Sequence, residues 1–418
     1  MTNRVKIIII VIGLLGAGLI SFVMAVIAAR QQMPAPAENQ PVVINPTFTA
    51  TKNAPIQVPT KIVQGSAVTP AATSQSAAPA AEAPRAAGAA HAIRADYTDM
   101  AISRPEVLPL EQKIQNAGMN MVSLGAGRVD WTFFMWSGHL NDWSSDVKNT
   151  GIDFLADDSS RFGSWAQVDA AVDALSPIYI KQNPQAAAIS WDGKSSTQLV
   201  STMQVVQGQY GQLLLQMIQY IAANYPVDSI SINEMFYHLD GYGLDDKAAF
   251  VAYSGQPDWP RTSNGAIDIN NPVIENWRTY ELNIFLSQVH AICSKYGKQF
   301  YFDVPVSLDT TGNPNGGYGV QLDKMFTNVD KIIIWGYFDL DSLAPQNLQN
   351  TAAILKQYGP ERTIFLIGLW NKQLQAVSAD KLQQAIAAVQ QGGLTNIWIT
   401  PASLMSDSHW SAVQQVWK

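Results

Sequence analysis

The chain has 418 residues, 47% of them hydrophobic, and a formal charge of −7. That length supports one large hydrophobic core, or two modest ones, with non-globular sequence to spare. The acidic balance argues against a nucleic-acid partner, because no basic stripe exists to neutralise phosphates. The single cysteine, Cys293, excludes an intrachain disulfide and a cysteine metal site.

Residues 1–6 place Arg4 and Lys6 ahead of an uncharged apolar run from Ile7 to Ala29. The run is long enough to cross a bilayer as a helix. The charges before it predict a cytoplasmic N-terminus, with everything beyond Arg30 outside the cell membrane. A cleavable signal peptide with Val26-Ile27-Ala28 as its cleavage site is the alternative; the length of the run favours an uncleaved anchor. Residues 30–96 are rich in Ala, Pro, Ser, Thr and Gln, with Phe48 as their only aromatic side chain. Such a segment buries too little apolar surface to offset the entropy of ordering and reads as an extended, disordered tether.

From residue 97 to 418 strand and helix patterns alternate, and all twelve tryptophans fall in this part. The expected strands are MNMVSLG (119–125), GIDFLAD (151–157), AAAISW (186–191), DSISINE (228–234), KQFYFDVPV (298–306), KIIIWGYF (331–338), RTIFLIGLW (362–370) and TNIWIT (395–400). Helical patterns separate them, among them SWAQVDAAVDALSPIYI (164–180) and VVQGQYGQLLLQMIQYIAANY (205–225). Eight strands with intervening helices predict an α/β fold, a (β/α)8 TIM barrel. No glycine-rich dinucleotide turn follows any strand, so no nucleotide cofactor is expected.

In such a barrel the strand ends converge on one face. The first expected strand leads to Trp131 and Trp136. The third ends at Trp191 and Asp192. The fourth ends at Asn233 and Glu234, followed by Tyr237 and Asp240; the fifth carries Asp303. The sixth carries Trp335, Tyr337 and Asp339, and the seventh ends at Trp370. Acids and aromatics on one rim suit a cleft that stacks sugar rings and protonates a glycosidic oxygen. Glu234 is the first candidate for a catalytic carboxylate and Asp303 its expected partner, with Asp240 and Asp339 as substitutes. His139, His238 and His290 show no metal-ligand spacing, so no metal is expected. The run Asp240, Asp245, Asp246 lacks calcium-loop spacing, and no Gly-x-Ser-x-Gly elbow supports a serine hydrolase.

The block from Asp228 to Tyr237 resembles the strand-four motif of bacterial glycosyl-hydrolase-like family ten, a group of exported or anchored barrel proteins. Asn276-Trp277-Arg278 matches that family's tryptophan–arginine helix start, FYFDVPVS its next active-face strand, and VDKIIIWGYF a later one. The resemblance spans about residues 210–370 and implies a glycosidase acting on a bacterial polysaccharide, a cell-wall glycan or an exopolysaccharide. Ser229 replaces the family's glycine and Asn233 the first acid of its pair. The Asn-Glu pair is also similar to the acid/base strand of the large retaining-glycosidase clan, whose strand-seven glutamate has no counterpart at Trp370-Asn371. Tyr337 is similar in placement to the tyrosine of chitinase-like barrels. A non-catalytic carbohydrate-binding protein on a degenerate barrel is the alternative, because of Asn233.

Overall fold

A computed structural model describes residues 88–96, 99, 107–306, 308 and 320–418. The apolar run at 7–29 and nearly all of the expected tether lie outside the described residues. Eight parallel strands close into a barrel: β1 (His91–Ala95), β2 (Met121–Arg128), β3 (Gln167–Asp173), β4 (Ser229–Asn233), β5 (Gln299–Pro305), β6 (Lys331–Gly336), β7 (Thr363–Gly368) and β8 (Ile397–Thr400). Each strand pairs with the next, and β1 pairs with both β2 and β8. Helices cover the outside, so both faces of each strand are shielded from water. Runs such as Ile332-Ile333-Ile334-Trp335 are therefore buried throughout rather than alternating.

The count of eight stands, but two of its expected members do not. The barrel opens with HAIRA at His91–Ala95, ahead of the expected domain start at residue 97; MNMVSLG supplies the second strand, not the first. GIDFLAD is the start of a helix, Phe154–Gly163, because the Asp153 side chain caps it by accepting from the Ala156 N–H at 2.9 Å. QVDAAVD, read as helical, is β3. Its small apolar residues satisfy both periods, and the buried parallel site between β2 and β4 decides. AAAISW forms one arm of a two-stranded hairpin outside the barrel, Ala187–Ile189 with Ser195–Val200.

One row of the barrel interior is polar. The register aligns Arg94 of β1 with Ser123 of β2, Ser123 with Asp169 of β3, and Asp169 with Ser229 of β4. All four are buried. A second apolar cluster, Tyr242, Phe250, Trp259, Ile274 and Trp277, packs beside the barrel beneath the segment that follows β4. Cys293 sits fully buried in the main core, and burial pushes its thiol up to about 12, as expected of a small packing residue.

Candidate active site

At the C-terminal mouth of the strands lies a cavity of about 100 Å³. Its charged lining is Arg94, Asp96, Asp173, Glu234 and Asp303; Asn233, Trp335, Tyr337 and Trp370 complete the polar and aromatic walls. The glycines Gly125 and Gly127 border it at the end of β2. A side chain at Gly127, where φ is +106°, would overlap the Trp131 carbonyl, so the chain turns back tightly there and leaves the mouth open.

Glu234 follows the last residue of β4 with φ at +61°, a left-handed conformation uncommon for a residue with a side chain. Its carboxyl oxygen Oε2 is buried without a hydrogen-bond partner among the described residues, and so is Oδ1 of Asn233. Burial pushes the Glu234 carboxyl well above the ordinary range; the charges of Asp173 and Asp303 push it further, and only Arg94 opposes them. Asp173, at the end of β3, pairs in register with Asn233 and so stands beside Glu234. Burial raises Asp173 to about 6, while Arg128 and the Leu175 N–H, 2.8 Å from its Oδ1, act against that rise.

Asp303 is held differently. Arg94 reaches from β1 and donates through Nη1 to Oδ2 at 2.5 Å and through Nη2 to Oδ1 at 3.3 Å. The nearby Trp335 indole N–H also favours its charged form. Burial pushes Asp303 up and these donors pull it down. A guanidinium offers donors only, so the group it clasps at both oxygens is a carboxylate. Arg94 in turn donates through Nε to Ser123 Oγ at 3.2 Å and lies 5.5 Å over the Trp398 ring.

The aromatic wall is a packed set. Trp335 and Tyr337 stack with centroids 5.3 Å apart and an interplanar angle of 17°, and Trp370 meets Tyr337 edge-on at 5.5 Å. Partly exposed Tyr337 and Trp370 present the faces and edges on which a sugar ring packs.

Of the residues expected at the site, the structure gathers Asn233, Glu234, Asp303, Trp335, Tyr337 and Trp370 around the cavity. The others lie elsewhere. Trp131 packs on Phe133 under Arg128, and Trp136 is buried against His139. Trp191 packs on the second apolar cluster, and Asp192 sits in the hairpin turn paired with Lys194 at 2.6 Å. Tyr237 is buried, its ring close to Gly241; the Asp240 carbonyl accepts from Arg278. Asp339 pairs with Lys381 at 2.7 Å. Arg94, Asp96 and Asp173 stand outside the expected set because HAIRA falls within the expected tether and QVDAAVD within an expected helix, whereas both form barrel strands. An alternating reading of QVDAAVD, with acids at every fourth residue from Asp169 to Asp173, carries the signal. Among the described residues no group of three or more ligating side chains is placed to hold a metal.

No protein-family model matches the chain, and no curated protein matches its sequence. Solved structures do match its fold. The PgaB glycoside hydrolase domain from Bordetella bronchiseptica aligns with a TM-score of 0.59 and 15% identity over 79% of this chain and 99% of that one. The β-amylase catalytic domain from Paenibacillus polymyxa aligns at 0.55 and 11% over 78% and 97%. A GH42 β-galactosidase from G. stearothermophilus aligns at 0.56 and 13% over 78% of this chain and 55% of that one. At these identities the likeness is one of fold: the chain is a (β/α)8 barrel whose structural neighbours are glycoside hydrolase domains.

Proposed function

We propose that the chain is a glycoside hydrolase acting on a bacterial polysaccharide, exported and held at the membrane by the apolar run at 7–29. The observation that carries this reading is Glu234: a half-buried side chain whose Oε2 is buried with no partner among the described residues, at the end of β4, in a cavity shared with a second acid and walled by aromatics. The names of the structural neighbours and the motif likeness to glycosyl-hydrolase-like family ten support the same class.

Glu234 is the general acid. Its proton passes to the glycosidic oxygen as the bond from that oxygen to the anomeric carbon breaks, leaving a carboxylate on Glu234. Asp173, rather than the clasped Asp303, supplies the second carboxylate. Burial raises both acids, but Glu234 by more, and Arg128 and the Leu175 N–H favour the charged form of Asp173, so Asp173 gives up its proton before Glu234 does. Two neighbouring acids separated in this way fit the roles of acid and of base or nucleophile.

Mass spectrometry of products after incubation with peptidoglycan and a panel of exopolysaccharides tests the reading. The wild type should release oligosaccharides. Glu234→Gln, which keeps the shape of a protonated carboxyl, should lower turnover by about a thousandfold or more while folding and glycan binding persist. Undiminished turnover would remove Glu234 from the chemistry. Binding without products from any glycan would favour a carbohydrate-binding barrel, a reading that Asn233, standing where the family has an acid, independently supports.

A further inference from the structure

The polar row through the barrel demands an explanation that stability does not provide. Asp169 accepts from Ser123 Oγ at 2.7 Å, Ser229 Oγ at 2.9 Å and Ser231 Oγ at 2.7 Å. Ser123 accepts from Arg94, and Arg94 clasps Asp303. The chain of contacts therefore runs from β3 through β2 and β1 to β5, across the barrel interior. Barrel interiors are usually filled by branched apolar side chains, and replacing a buried ion pair by apolar groups is often neutral or stabilising. The row ends at one place, the cavity floor shared with Glu234.

We propose that Asp303 is a positioning residue and not a proton-transferring one: clasped by Arg94, which Ser123 holds in turn, its charge is fixed in the cavity where it favours the proton-donating state of the reacting acid Glu234. Three observations carry this. Arg94 donates to both Asp303 oxygens, so the carboxylate is clamped as the ion-pair partner of a guanidinium. The guanidinium is itself fixed at three nitrogens and against Trp398, which fixes the charge of Asp303 in space. Glu234, in contrast, has an oxygen with no partner in the same cavity. The charged and titratable groups lining that cavity with Glu234 are Arg94 and Asp96 from the β1 side, Asp173 of β3, Asp303 of β5 and Tyr337 after β6. Among them Asp173 and Asp303 favour the protonated form of Glu234 and Arg94 opposes it.

The inference rests on the glycosidase reading, and the test separates the two. Asp303→Asn removes the negative charge and leaves Arg94 uncompensated, so both changes lower the Glu234 titration midpoint. The alkaline limb of the kcat/KM profile should move down by about one pH unit or more, with kcat at the new optimum within about tenfold of wild type. Loss of more than about a thousandfold at every pH in a folded protein would show that Asp303 takes part in the chemistry directly and would overturn the proposal. An unmoved profile would overturn it too. The midpoint is also read without turnover, by carboxyl carbon NMR of Glu234 in the full chain. A wild type that cleaves nothing defeats the glycosidase reading, while a lower midpoint in Asp303→Asn still upholds the charge pair and an unchanged one removes it. Should Asp303→Asn not fold, Ser123→Ala frees Arg94 Nε with every charge kept. It should reduce kcat about tenfold at constant KM, and a KM change at constant kcat counts against the proposal.

Discussion

Glu234 combines two destabilising features, a left-handed backbone and a buried carboxyl oxygen, Oε2, without a partner among the described residues. Each is of order 1–3 kcal/mol, and such strain persists where function selects for it. Glycine tolerates this backbone and has no carboxyl to bury, though it loses more entropy on folding. Glu234→Gly should therefore abolish turnover while raising stability by about 1 kcal/mol, or roughly 1–2 °C in Tm by calorimetry. A lowered Tm would mean that the Glu234 side chain makes favourable contacts that outweigh its strain. The pairing of a stability gain with complete loss of activity is what distinguishes a reacting group from a packing one.

At the scale of elements, the strand ends shape the aromatic wall as much as the aromatic residues do. Gly368 closes β7, and a Cβ there would lie 2.1 Å from the Tyr337 ring. Gly368→Ala should push Tyr337 out of its stack with Trp335, raising KM for glycan about tenfold with a smaller change in kcat. Steady-state kinetics on the cleaved polysaccharide checks this, and an unchanged KM would detach the stack from binding. That wall was legible in the sequence because β6 and β7 are long runs of branched apolar residues ending in aromatics. So was Glu234, at the end of the alternating β4. The acidic side of the site was not legible. HAIRA is five residues against an Ala-rich tether, and QVDAAVD is built of small residues that fit either period, so Arg94, Asp169 and Asp173 had no visible strand to end on. The aromatic runs around Trp131 and Trp136 read as sugar platforms, but their rings pack inward on Phe133 and His139.

For the molecule as a whole, the same burial that tunes the site leaves a pH signature on the fold. Asp169, Asp173 and Asp240 are raised by burial to about 6, and Asp246 and Glu275 to about 7. For each the folded value exceeds the unfolded one near 4, so the folded chain binds more protons than the unfolded chain between about pH 4 and 7. Their contribution to stability is full below the unfolded value and is lost as pH rises through the folded one. Acids shifted the other way, such as Asp258, held at about 2 by Lys247, the Trp259 N–H and Arg261, weaken the fold only below about pH 4. Stability should thus be highest near pH 5, with Tm roughly 5 °C above its value at pH 8. Asp246→Asn, which mimics the protonated acid, should flatten that difference. Calorimetry at the two pH values decides: a Tm equal at both, or higher at pH 8, would mean that these carboxyls are hydrated or paired in solution. The cavity would then lack the low-dielectric surroundings that keep a proton on Glu234.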